Sequence, residues 1–388
     1  MRIAIDIRRI NAFGVGAHIW NLVRSLAGID RENEYFLIGS RRQFLKLGPL
    51  GPNFRAIHVP EEDSVWNLHV RIPVQLRANR IDLLHVPHHE TPLFVPSKLL
   101  VTMHDCVHLL FPQEGSSKFE NYRRYLYTRR VARSANHVVA VSESTRQDLF
   151  HIFDLPTDKV SVVHNALDER FMAVRRTAEE QKQVLERYQL SDPFILYAGQ
   201  LRPHKNIHRL IEAFAVLKSE LGDNKKYRKL KLIVIGDELG RHQYLRLSVV
   251  RSGVQQDVRF FGFVPNPVLQ VFYETAVIFA SPSLYEGFGL SSLEAMANRT
   301  PVVASNTSSL PEVLGEAAIL VHPENVFDIA RAMKSLLIDL VLRQEKIEKG
   351  LEQVRRYSWG TAAERVLETY QAIMAGDKIK ASAKKAES

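Results

Sequence analysis

"VIFASPSLYEGFGLSSLEAMA", residues 277–297, decides how the chain is read. Its opening "VIFASPS" is apolar and is expected to form a buried strand. Gly287 and Gly289 follow and permit a sharp turn with close backbone approach. A helix is expected from about Leu290, with Leu293, Met296 and Ala297 on its buried face. Unpaired N–H groups at the start of that helix, aligned with its dipole, form an anion site. Glu286 flanks this position from the loop, and Glu294 reaches towards it one turn after Leu290. A carboxylate only accepts hydrogen bonds and can hold a sugar diol. Taken alone, the stretch also fits a plainer reading, a capped helix with two solvated acids.

Outward from this stretch, apolar runs alternate with helical periodicity along the chain. In the first half, strands are expected at 3–7, 35–40, 83–87, 99–105, 137–142 and 160–166. In the second half they are expected at 194–199, 231–236, 259–264, 277–283 and 301–306. The runs are apolar throughout, as in parallel strands covered on both faces. In "NIHRLIEAFAVL", Ile207, Leu210, Ile211 and Phe214 recur at helical spacing. The fold class expected is therefore α/β, two Rossmann-like, doubly wound parallel-sheet domains with ligands in the cleft between them. The boundaries expected are a domain at 1–172, a polar linker at 173–191 and a second domain at 192–360. A C-terminal helix at 361–375, packing back on the N-terminal domain, and a disordered tail at 376–388 complete the reading.

Composition excludes several classes. The 388 residues are 45% hydrophobic and 24% charged, as in a soluble globular protein. The lone Cys106 excludes an internal disulfide framework and fits a reducing compartment. No apolar run is long enough for a transmembrane helix, and "MRIAIDIRR" lacks a signal peptide's apolar core. A cytoplasmic protein is expected. The net charge of +9 suits anionic ligands or lipid. No nucleic-acid motif stands out, and none is expected as a partner.

Other constellations carry chemistry. "YAGQLRPHKN", 197–206, leaves a strand with Arg202 and Lys205 at its carboxyl end, where they can neutralise a diphosphate. A solvated basic loop is the alternative. "NAFGVGAHIW", 11–20, turns at Gly14 and Gly16 before a helix. It is a weak dinucleotide signature, better read as a close backbone approach from the opposite domain. His85, His88 and His89 in "LLHVPHHETP", with His104 and His108 in "VTMHDCVH", match no strong metal spacing, so no metal site is expected. His104 closes a strand, where side chains meet ligands in such sheets. The helix "SKFENYRRYLYTRRVARS", 117–134, interleaves arginines with Tyr and Leu. It reads as a packed helix with an arginine-rich wet face, or as a contact with anionic lipid.

Together these segments resemble the retaining glycosyltransferases of family 4, which have the GT-B architecture, over about residues 1–372. The resemblance is most specific in the region with Glu286 and Glu294 eight positions apart, and also runs through "GQLRPHKNIHRLIEAF", "VRFFGFVPNPVLQVFYETA", "VTMHDCVHLLFP" and "NAFGVGAHIWNLVRSL". It implies that Glu286 holds the donor sugar's hydroxyls and Glu294 the ribose hydroxyls. Gly287 belongs to the same turn, and Phe288, Gly289 and Leu290 would offer N–H groups to the sugar or diphosphate. Lys205 and an arginine would balance the diphosphate, backbone near Val264 would meet the base, and the Gly14–Gly16 loop would lie against the diphosphate through Gly16. His104 would contact the sugar near the reacting carbon. One departure is Gly199-Gln200-Leu201, where many members have Gly-Arg-Leu; Arg202 then becomes the expected phosphate clamp.

The activity implied is transfer of a hexose, mannose from GDP-mannose as the first expectation, with retained configuration and without metal or other cofactor. The acceptor would be a hydroxyl of a saccharide or lipid-linked saccharide in cell-envelope polysaccharide synthesis, with His88 and His89 as acceptor-side candidates. Peripheral contact with the inner face of the membrane would follow. The alternatives are a sugar-nucleotide epimerase or hydrolase of similar architecture, and a non-catalytic sugar-nucleotide-binding subunit.

Overall fold

The computed structural model describes all residues except 13, 62–63, 113–114, 169–174, 223, 237–239, 241 and 378–388. The chain forms two compact units, one of residues 1–166 joined by the chain from Tyr357 onward, the other Leu167–Arg356.

Among the described residues, the first unit holds seven strands: β1 (Arg2–Asp6), β2 (Glu34–Gly39), β3 (Phe54–His58), β4 (Leu83–Val86), β5 (Lys98–Met103), β6 (His137–Ala140) and β7 (Val160–Val162). Every pairing is parallel, in the order β3-β2-β1-β4-β5-β6-β7. The chain runs outward from β1 to β3, then returns to the other side of β1 to begin β4. The carboxyl ends of β1 and β4 thus flank the point where strand order reverses, where ligands bind in such sheets.

The second unit repeats the plan with β8 (Phe194–Ala198), β9 (Lys231–Ile235), β10 (Val258–Phe261), β11 (Ile278–Ser281), β12 (Val302–Ser305) and β13 (Ala318–Val321). Its order is β10-β9-β8-β11-β12-β13, again all parallel. Here the reversal lies between β8 and β11.

The unbroken apolar runs have a direct cause. Ile3, Ile5, Tyr35 and Leu37 belong to one core, while Ala4, Phe36 and Ile38 belong to another. Alternate side chains enter opposite faces, and helices cover both, so Ile3–Asp6 of β1 and Tyr35–Gly39 of β2 are buried at every position. Each fully buried isoleucine contributes roughly 1.5–3 kcal/mol.

Two strands escaped the sequence reading, β3 and β13. Both are edge strands. In β3, Phe54 and Ile57 alternate with exposed Arg55 and His58, so there is no apolar run to read. Several expected strands also end earlier than their apolar run; β7 stops at Val162, although Val163 and Ala166 stay buried in loop.

The expected linker at 173–191 is corrected. Residues 173–174 lie outside the described residues, but Ala178–Arg187 is a helix of the second unit. Thr177 caps it in a reciprocal box with Glu180. Gln181 Nε2 donates to Glu274 Oε2 at 2.8 Å, tying it to the helix Asn266–Thr275. Its charge is a wet helical face, which composition alone cannot distinguish from a linker. The last helix, Trp359–Ala375, lies against the helix Val15–Ile29 of the first unit. Apart from Gly376 and Asp377, the tail lies outside the described residues.

Candidate functional site

In the second unit, two loops meet at the β8/β11 reversal. After β8 the chain makes a single turn of 3₁₀ helix, Pro203–Lys205, and enters the helix Ile207–Glu220. After β11 it passes through Glu286 and Gly289 into the helix Leu290–Ala297. The loops are stitched directly: the Leu284 N–H donates to His204 O at 2.7 Å. Asn206 is the staple. It is fully buried, and its Nδ2 donates to Pro282 O at 2.9 Å and Pro323 O at 2.6 Å. Its backbone is left-handed, with φ of 60°, a conformation that asparagine tolerates better than most residues.

This stitching brings Lys205 and Glu286 together. Lys205 Nζ lies 2.7 Å from Glu286 Oε1, and each side chain is only 16% exposed. The carboxylate is over-determined. Ser283 Oγ donates to the same oxygen at 2.7 Å, the Glu286 N–H donates to Ser308 Oγ at 2.8 Å, and Ser309 Oγ donates to Glu286 O at 2.9 Å. Sequence reading missed Asn206, Ser283, Ser308 and Ser309. Ser308 carries a positive φ of 51°, and nothing in its one-residue context announces that.

Gly289 starts the helix with φ of 93°, and a Cβ there would stand 2.7 Å from Leu310 Cδ2. The positive φ favours glycine here, while the leucine methyl could shift to make room. No side chain caps this helix among the described residues, so its first N–H groups keep the anion-attracting character of a bare N-terminus. Arg202 is exposed, just before the 3₁₀ turn, and its guanidinium makes no ion pair among the described residues. Val264 is buried beyond the end of β10, beside a Phe263 that is 87% exposed.

Glu294 has a protein partner of its own. Its carboxylate accepts a hydrogen bond from the Tyr273 hydroxyl at 2.8 Å, within the second unit's own fabric. Burial, opposed by the Tyr273 bond and reinforced by the nearby Asp168 charge, pushes its pKa up to about 7. Near neutrality it therefore populates both the acid and the carboxylate, able to donate as well as accept.

The first unit has its own cluster at the carboxyl ends of β1, β4 and β5. Asp6 accepts a forked pair of bonds from Arg8, with Nη2 at 2.7 Å from Oδ2, and His88 Nε2 lies 3.4 Å from that oxygen. Burial of Asp6 is outweighed by Arg8 and His88, which hold its carboxyl well below the usual range. His88 Nδ1 accepts the Glu90 N–H at 3.1 Å, so both ring nitrogens face protein groups. His89 stacks on His108 with centroids 4.9 Å apart, and burial, helped by His108, lowers it to about 3.

His104 is half-buried, and burial lowers its pKa, keeping the ring neutral. Its Nε2 donates to Pro87 O at 3.0 Å, which leaves Nδ1 as the acceptor nitrogen. The ring of His18 meets it edge-on at 4.7 Å. His18 was not singled out from sequence; it is buried, and its Nδ1 donates to Asn165 Oδ1 at 2.7 Å.

Gly14 and Gly16 have local explanations. Gly14 is left-handed at φ of 74°. A Cβ on Gly16 would collide with Ile10 O at 2.3 Å, because the first turn of helix Val15–Ile29 rests on that carbonyl.

Two family models match the chain, that described as Glycosyltransferase Family 4 over residues 13–171 and that described as Glycosyl transferases group 1 over 178–353. The serotype-specific mannosyltransferase WbdA of Escherichia coli is 31% identical over 73% of this chain. The chain spans only 34% of that relative's length. The O-antigen chain mannosyltransferase B of Escherichia coli is 27% identical over 93% of this chain and 96% of its own. Among solved structures, Anabaena HepE in complex with UDP and glucose superposes with a TM-score of 0.73 at 17% identity, covering 96% of this chain and all of its own. At that identity the likeness is one of fold, and the fold is GT-B.

Proposed function

The chain belongs to the glycosyltransferases of family 4, and on that premise we propose that it moves a hexose, mannose first, from a nucleotide diphosphate sugar to a hydroxyl of a saccharide or lipid-linked saccharide. Both mannosyltransferase relatives support the choice of sugar, and their O-antigen and serotype names support a role in cell-envelope polysaccharide synthesis. GDP-mannose is the donor proposed.

One observation carries this reading. A lysine and a carboxylate are locked together, 2.7 Å apart, at the strand-order reversal and beside an uncapped helix start. The lysine and the helix N–H groups suit a diphosphate; the carboxylate suits sugar hydroxyls. A glycosidase-like acid pair would leave the lysine and the glycine turn without a purpose.

In the reaction proposed, the bond from the anomeric carbon to the diphosphate oxygen breaks, and a bond to the acceptor oxygen forms on the same face. The acceptor's proton passes to the departing diphosphate oxygen. Negative charge grows on that leaving group, and Lys205, Arg202 and the helix start stabilise it electrostatically. No metal need then be invoked, and transfer is expected to survive excess chelator. Glu286 orients the sugar through its hydroxyls. Glu294 meets the ribose, its near-neutral pKa allowing it to donate or accept.

A thermal-shift panel of nucleotide sugars tests the donor. One base family should stabilise the protein more than the others through binding to the folded state. Equal stabilisation by all of them would remove the base preference, and no response to any would remove the nucleotide-sugar reading. Product formed from donor alone, with no acceptor, would favour the epimerase or hydrolase alternative.

A further inference from the structure

His18 lies one turn into the helix Val15–Ile29, and two distant parts of the chain grip it. Its Nδ1 donates to Asn165 Oδ1 at 2.7 Å, across 147 positions. The Trp359 ring meets it near edge-on, with centroids 5.3 Å apart. The chain leaves the first unit after Ala166 and returns to it at Tyr357, so the partners of His18 sit beside its exit and its re-entry. His18, Asn165 and Trp359 are each only 4% exposed. Burial, helped by the facing His104 and opposed by the Asn165 bond, lowers the His18 pKa well below its ordinary value, so the ring is neutral. With the proton on Nδ1, Nε2 is a lone-pair acceptor, and it is buried without a hydrogen-bond partner. Such an orphan is a cost that an apolar side chain of similar size would avoid. What an apolar side chain could not supply is the bond to Asn165, which fixes the rotation of the ring.

The third neighbour is His104. The two rings stand at 89° to each other with centroids 4.7 Å apart. His104 is tied at one ring atom, through its Nε2 bond to Pro87 O at 3.0 Å. One such bond fixes where that nitrogen points but lets the ring rock about the line from Cβ to Nε2. A rigid ring packed perpendicular to it stops the rocking. We propose that His18 is a positioning residue for His104: locked by Asn165 and Trp359, it sets the rotation of the His104 ring and so the direction in which Nδ1 accepts a hydrogen bond from substrate. Its own Nε2 is buried, so His18 acts through His104 and not on substrate. Functional side chains perform when neighbours lock their rotation, and a misplacement of about 1 Å can cost roughly a hundredfold in rate. The inference rests on the part in transfer that the family resemblance implies for His104, but the state of the ring can be read without turnover, so the two can fail separately.

The test begins with nitrogen NMR spectra of the imidazole rings in the full, ligand-free chain, the His104 signals being those lost in His104→Gln. The parent should show a protonated Nε2 and a well-separated, unprotonated Nδ1. His18→Ala should draw the two signals together, because the ring then leaves Pro87 O part of the time. Asn165→Ala, which keeps the His18 ring but frees it to turn, should do the same to a smaller degree, and it serves if alanine at position 18 does not fold. With GDP-mannose as donor and octyl mannoside as acceptor, His18→Ala should lower kcat roughly ten- to a hundredfold while KM for GDP-mannose stays within about twofold. Added to His104→Gln, it should cost nothing further. Unchanged His104 signals in both alanine variants would overturn the proposal. So would a loss of kcat that adds in full to that of His104→Gln, or a lowered melting temperature with parent-like kcat, which is what a merely structural role predicts. Full activity of His104→Gln with the expected spectra would instead count against the part implied for His104 alone.

Discussion

Lys205 and Glu286 neutralise each other before any ligand arrives, and this changes what their substitutions should do. Lys205→Ala leaves a mostly buried carboxylate with only serine partners, and Glu286→Gln leaves an ammonium facing an amide. Each should cost about 1–3 kcal/mol of stability, because one polar partner goes while the other stays. Each should also lower transfer roughly a hundredfold or more, the scale of losing one preorganised electrostatic contact. Denaturant melts beside initial rates separate the two effects, and near-normal turnover in both variants would remove the pair from the site. Glu294 makes a different prediction. Its pKa is raised from the ordinary 4.5 to about 7, so the native state binds the proton more tightly than the unfolded chain. Its contribution therefore lowers stability as pH rises through that window. Glu294→Gln keeps an acceptor for the Tyr273 hydroxyl and should flatten the decline, with equal or greater stability above neutrality. Identical denaturation midpoints against pH for parent and variant would refute this.

At the scale of elements, the second unit's site depends on one asparagine that holds two loops at the strand-order reversal. Asn206→Ala strips hydrogen bonds from two buried carbonyls, those of Pro282 and Pro323, and should cost roughly 2–4 kcal/mol. Asn206→Gly separates causes, since it keeps the left-handed backbone but not the amide. If both variants lose the same stability and donor binding, the hydrogen bonds matter most; a parent-like melt for alanine would dismiss the staple. The helix Ala178–Arg187 teaches a related lesson. Its sequence is rich in charge, and charge describes equally well a solvated linker and the outer face of a docked helix. What decides between them is Glu274, which lies far along the chain and receives Gln181.

At the scale of the whole molecule, the chain's end completes its beginning. Trp359, Ala363, Val366 and Tyr370 share a core with Ile5, Ile19 and Leu22, and the Tyr370 hydroxyl meets His85 Nδ1 at 2.7 Å. Truncation after Arg356 should therefore strip amide-exchange protection from β1 and β4 while β8 and β11 keep theirs. Unchanged protection in β1 would show that the final helix is dispensable. The α/β class, most strands, the glycine-turn helix and the family were legible in residue order, because buried parallel strands demand unbroken apolar runs and helices a 3.6-residue period, both local properties. Edge strand β3 was not, since its exposed positions carry Arg55 and His58 and leave no such run; β13 is apolar throughout but only four residues long, too short to stand out. The site was legible as residue types: Lys205, Glu286, Gly289 and Glu294 stood out. Their partners were not. The Lys205–Glu286 contact bridges 81 positions and exists because β8 and β11 are neighbours at the reversal, while Glu294 is claimed by Tyr273 from another helix. The sequence by itself determined which candidate side chains there are and on what local unit each sits. Only the tertiary structure decided which of them face one another, because strand order and loop stitching set distances that no period along the chain encodes.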